Sequence, residues 1–60
     1  MKIELNANRT RQGWEVTAWE GEVFKGRCLY LFSTKKEALA TARETVEREE
    51  GLGIFRKSFI

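Results

Sequence analysis

The chain contains no histidine, no aspartate and one cysteine, Cys28. Without histidine it lacks the commonest general base and the commonest metal ligand at once. A lone cysteine cannot form an internal disulfide, and nothing in its use points to an oxidising compartment. Cys28 reads as a small apolar core residue, since a thiol nucleophile would have no basic partner to activate it. The nine acidic residues are all glutamate, spread over turns, strands and a helix without converging by spacing. They read as solvated faces. These absences predict a protein that is not an enzyme, holds no metal or cofactor and takes no small-molecule substrate. No apolar run approaches the roughly 18 residues that cross a bilayer. The opening Met-Lys-Ile-Glu-Leu-Asn is not followed by the hydrophobic core of a signal peptide. The expectation is a soluble, cytoplasmic chain with no membrane partner.

Residues 1–60 read as one small α+β domain. At 60 residues folding buries only about 60% of the surface the unfolded chain exposes, which leaves no room for a second core. With no disulfide staple, stability must come from packing alone or from association with a partner or a second copy. The net charge of +2 is too small to argue for a polyanionic partner, but its distribution is uneven. Residues 1–36 carry seven basic and four acidic groups, residues 37–50 two and five, and the last ten residues add Arg56 and Lys57. An acidic helix and a basic remainder follow, with any anion-binding surface away from the helix.

Along the chain, residues 2–7 alternate polar and apolar side chains, the period-two signature of a strand with Ile3, Leu5 and Ala7 inward. Residues 8–13 contain no large apolar side chain and read as an exposed turn. A second strand at 14–18 turns Trp14, Val16 and Ala18 to the core. The alternation then breaks at Ala18-Trp19, which predicts a bulge near Gly21. Residues 23–27 look like a hairpin tip with Gly26 at positive φ, or else part of a longer loop over 21–26. The third strand, 27–32, is apolar at five successive positions from Cys28, so both of its faces should be covered. Thr34 and Glu37 form a capping box. Ala38, Leu39, Ala42 and Val46 then recur at helical spacing, Glu44 and Arg48 form a four-residue pair, and Gly51 provides a left-handed C-cap with Leu52 folding back onto Val46. Residues 54–59 are rich in strand formers and read as a fourth strand. The expected fold is therefore a three-stranded antiparallel sheet with one amphipathic helix packed on it and a C-terminal strand, in the order β-β-β-α-β.

This pattern supplies more apolar surface than one helix can shelter. If Cys28, Tyr30 and Phe32 face the helix beside Trp14 and Val16, then Leu29 and Leu31 point the other way, joined by Trp19 if the phase has not yet flipped there. Either the C-terminal Phe55, Phe59 and Ile60 cover that patch, or it is a docking or dimer surface.

The run from Gly13-Trp14-Glu15-Val16 through Leu31-Phe32-Ser33-Thr34-Lys35-Lys36-Glu37-Ala38 resembles the three-stranded DNA-binding domains of plant ethylene-response factors and the arm-binding domains of phage-type integrases. In those families a tryptophan opens a strand, and a strand ending in an aromatic residue runs into Thr-x-x-Glu-Ala. The likeness covers about half the chain and implies a sheet that reads the major groove, using Arg9, Arg11, Trp19, Lys25 and Arg27. The second strand departs from that pattern, since Glu15, Thr17 and Glu20 stand where such domains tend to place arginines, and carboxylates repel phosphates. In layout the chain is also similar to small phage inhibitors of host RNA polymerase, which implies a protein partner and no catalysis. Similar strand-strand-helix layouts occur in Hic-type antitoxins. Two functional readings result. A non-catalytic module binds a protein partner or itself through Trp19, Leu29 and Leu31, as a phage or bacterial regulatory protein would; alternatively, a DNA-binding domain uses the basic turns at Arg9, Arg11, Lys25 and Arg27.

Overall fold

The computed structural model describes residues 2–49 and 51–59, and at Phe55 the backbone only. Its elements are β1 (Glu4–Arg9), β2 (Gly13–Glu20), β3 (Val23–Leu31), α1 (Lys35–Glu49) and β4 (Gly53–Ser58). They form the α+β, β-β-β-α-β arrangement that the patterning predicts. The four strands lie side by side in chain order. The first three pair antiparallel, and β4 adds to β3 in parallel. That parallel pairing follows from connectivity, because a helix between two strands returns the chain to the start of the first.

Strand boundaries run wider than the alternation suggests. Strand β1 continues to Arg9, and three residues, Thr10 to Gln12, link it to β2. The β2–β3 hairpin turns at Gly21 and Glu22, not at residues 23–27 and not through a longer loop. Gly21 has φ 61° at the first loop position, where a two-residue type II′ hairpin requires glycine. The bulge predicted near Gly21 lies earlier on β2 and across the ladder: Ala18 pairs with Gly26 and Trp19 with Phe24, leaving Lys25 as the extra residue. Gly26 does have positive φ, 124°, but in a strand beside the bulge and not in a turn. An ideal Cβ there would stand 2.4 Å from the Gly53 nitrogen, so glycine is required for β4 to approach.

The core lies between the helix and one sheet face. Val16, Ala18, Cys28, Tyr30, Ala38, Ala42 and Leu52 are buried, with Ile3, Leu5, Trp14, Leu39, Val46 and Phe59 packed around them. Helix α1 lies against β1 and β2. Its two core alanines permit close approach, and Tyr30 and Val16 supply most of the buried bulk. The capping box is formed: the Thr34 amide donates to Glu37 Oε1 at 2.9 Å, and the Glu37 amide donates to Thr34 Oγ1 at 3.2 Å. Thr45 is a core residue that the apolar stripe does not include, and its hydroxyl donates to the Thr41 carbonyl at 3.0 Å. The expected C-cap at Gly51 follows Glu50, which lies outside the described residues. Gly53 has positive φ, 71°, and Gly51 allows the Lys25 carbonyl to approach. The chain is tied down there by the buried Leu52, whose amide donates to that carbonyl at 2.7 Å.

At the end of the third strand the expectations for Phe32 and for Phe59 both fail. Phe32 does not face the helix. It takes φ 58° immediately after β3 and is 51% exposed, because its left-handed backbone turns the chain out of the sheet toward α1. Among the described C-terminal residues none roofs the second face. Strand β4 extends the sheet in its own plane, and Phe59 packs edge-on to Tyr30 on the helix side at 6.0 Å. Ile60 and the side chain of Phe55 lie outside the described residues.

Candidate functional site: the outer sheet face

Strand alternation sends every second side chain away from the helix, and the pairing register shows which of them meet. Asn6, Thr17, Arg27 and Ile54 form one cross-strand row, and Asn8, Glu15, Leu29 and Arg56 the next. Gly13, Leu31 and Ser58 close one end; Glu4, Trp19 and Phe24 close the other. Among the described residues no element lies over this face. The expectation that both faces of the third strand are covered therefore fails for the outer one. Leu29 and Leu31 are half-buried. Trp19 is 37% exposed, Phe24 44% and Ile54 76%.

The bulge shapes this surface. Counting back from Arg27 by strict alternation would turn Phe24 into the core; the extra residue at Lys25 restores it to the outer side, opposite Trp19. The two rings meet edge to face with centroids 5.2 Å apart. Glu15, Arg27, Leu29, Ile54 and Arg56 line a shallow depression beside them. Within it Arg27 Nε lies 3.7 Å from Glu15 Oε2. The three residues expected to bind a protein partner, Trp19, Leu29 and Leu31, thus share one open face. Phe24, Ile54 and Arg56 belong with them.

The four basic residues of the DNA-binding alternative do not share one face. Arg27 is on the outer face with Glu15. Lys25, the bulged residue, points to the helix side, where its Nζ lies 3.4 Å from Glu20 Oε1 above a groove formed with Ile3, Leu5 and Val46. Arg9 and Arg11 do come together, at the end of the sheet beside the start of α1, around a depression lined also by Trp14, Phe32 and Lys35. The Arg9 guanidinium carbon lies 5.8 Å from the centre of the Trp14 ring.

Two ionisable side chains, Cys28 and Tyr30, lie in the core. Burial pushes the Cys28 thiol up from its ordinary range, against a smaller opposing effect of a hydrogen bond with Tyr30. Burial likewise raises the Tyr30 hydroxyl, with Cys28 adding to the shift. A thiol held protonated is a poor nucleophile. Among the described residues no group of three or more cysteine or glutamate side chains could hold a metal ion, and no helix is long and apolar enough to cross a membrane. No family model, curated protein or solved structure matches the chain.

Proposed function

We propose that this chain is a non-catalytic binding module, a regulatory protein that engages a protein partner through the outer face of its sheet. The supporting observation is the open cluster of Trp19, Phe24, Leu29, Leu31 and Ile54 on a sheet whose other face already accommodates the core. In a chain with so little interior, five large apolar side chains on the wet side weaken solubility without adding to the main core. Their presence is accounted for when another surface covers them. Tryptophan and arginine, both present on this face, are enriched among the residues that dominate association energies. The mixed charge of Glu15, Arg27 and Arg56 suits a protein surface better than a phosphate backbone.

The experiment is retention of protein from native lysate on the immobilised chain, comparing the unaltered sequence with Leu29→Asp and with a helix-side control, Glu47→Ala. The expected result is a retained protein, foreign or the chain itself, that is lost with Leu29→Asp and kept with Glu47→Ala. Equal retention by all three removes the reading. The DNA-binding alternative draws on a different observation, the convergence of Arg9, Arg11 and Lys35 around the exposed Phe32. It predicts binding to generic duplex DNA that weakens steeply with salt, and the absence of binding at about 50 mM salt excludes it.

A further inference from the structure

Charge on the outer face divides across the sheet. The acids Glu4 and Glu15 stand on β1 and β2, and the bases Arg27 and Arg56 on β3 and β4. A face with opposite signs on its two halves and an apolar middle is complementary to itself under one kind of rotation. Turning a second copy about an axis in the plane of the face and parallel to the strands lays β1 and β2 of one copy over β4 and β3 of the other. The acidic half of each copy then lies over the basic half of the other. A rotation about an axis across the strands would lay acid on acid and base on base. The favourable rotation also keeps each cross-strand row at its own height. The Trp19–Phe24 pair, on the two central strands, meets its own copy beside the axis, and Leu31 comes to lie over Gly13, which has no side chain to obstruct it. In the row they share, the rotation sets Glu15 over Leu29 of the second copy and Arg56 of that copy over Asn8, one strand spacing of about 4.8 Å from Glu15, an offset that two long side chains span. Closed two-fold symmetry with self-complementary patches is the commonest arrangement of soluble assemblies, and aligned stacking is an ordinary way for two sheets to pack.

Resting on the protein-binding reading above, we infer that the partner of the outer face is a second copy of this chain, stacked face to face as a two-fold dimer with Glu15 of each copy paired to Arg56 of the other. The size of the face sets the strength. Four strands about 4.8 Å apart, with about six residues of rise near 3.3 Å, span on the order of 400 Å². Two such faces with their side-chain relief bury about 1,000 Å², the lower edge of specific interfaces. The dimer is accordingly reversible, with a dissociation constant of order 10–100 μM.

The test is sedimentation of the full chain from about 5 μM to about 1 mM in low salt, a range that brackets this constant. The average mass is expected to rise from 7.0 kDa toward twice that value. Arg56→Glu and Glu15→Lys are each expected to weaken self-association at least tenfold. An equimolar mixture of the two variants recovers it, because one heterodimer restores both opposite-charge pairs. Circular dichroism confirms that each variant is folded. A wild-type chain that stays monomeric to about 1 mM overturns the inference; if Leu29→Asp still loses a foreign partner from lysate, the outer face remains a binding face for a different protein. A dimer indifferent to both charge reversals, or variants whose mixture does not recover, also overturns it. Steeply salt-dependent duplex binding by a monomeric chain overturns both readings.

Discussion

Replacing Gly26 by alanine tests the link between the bulge, the fourth strand and the outer face. Gly26 is buried at φ 124°, outside the wells open to residues with a Cβ, and the added carbon would fall 2.4 Å from the Gly53 nitrogen and 2.5 Å from its carbonyl oxygen. The backbone conformation alone costs an alanine about 1–3 kcal/mol. Displacing β4 or distorting β3 to relieve the overlap costs about 1–3 kcal/mol more. Against a total stability of about 3–9 kcal/mol expected for 60 residues, a combined loss of about 2–6 kcal/mol is of the same order as the whole. In urea, with a slope near 1 kcal/mol/M, the unfolding midpoint followed by tryptophan fluorescence falls by about 2 M or more. Gly21 and Gly53 provide the internal comparison. Both have positive φ, 61° and 71°, but open space where a Cβ would project. Alanine at either costs only the left-handed backbone term, about 1–2 kcal/mol. A Gly26→Ala loss below about 1 kcal/mol, or one no larger than at Gly21 and Gly53, refutes the account of why β4 can lie beside the bulge.

Two further predictions concern the helix and the interior. Thr34→Ala removes the hydroxyl that accepts the Glu37 amide, and the loss is about 1 kcal/mol by thermal or urea unfolding. Cys28 and Tyr30 both have folded-state pKa values raised chiefly by burial, so the unfolded chain releases these protons at lower pH than the folded one. Their contribution is complete below the unfolded values and falls as pH rises past about 9 for the thiol and about 10 for the phenol. Urea midpoints measured from neutral to strongly alkaline pH should therefore decline above about pH 9, and Tyr30→Phe should flatten the upper part of that decline.

Much of the fold was legible in the sequence because its signals are local. Thr34 and Glu37 cap the helix as their spacing indicates, and Val16, Ala18, Cys28 and Tyr30 enter the core as alternation requires. What failed depends on contacts distant in sequence. Gly26 signals positive φ by its identity, but only its pairing with Gly53 explains that φ, so a turn was the natural reading. The bulge at Lys25 breaks the period without a residue that marks its position, and that shift hides Phe24 from any outward-facing count. Phe32 is apolar and continues the run of β3, yet its backbone conformation sends it to solvent.

The candidate site was partly legible for the same reason. Trp19, Leu29 and Leu31 were recognisable as an apolar surplus from alternation alone. Ile54 and Arg56 join them only because β4 pairs in parallel with β3 in one register, which nothing in residues 53–58 specifies. The alternation of Ile54 and Arg56 around Phe55 was the available signal. Arg27 and Lys25, two residues apart, separate to opposite faces because Lys25 is itself the bulged residue.

The central claim is that the outer apolar side chains serve association and not folding. The most direct measurement pairs a urea unfolding curve with a binding isotherm, for the assembly that Leu29→Asp disrupts, on a chain carrying Trp19→Ala and Ile54→Lys together. The account predicts an unfolding free energy within about 1.5 kcal/mol of the unaltered chain, the loss of one edge-to-face ring contact and little else, and binding weakened by tenfold or more. Unchanged binding, or a chain that no longer folds, contradicts it.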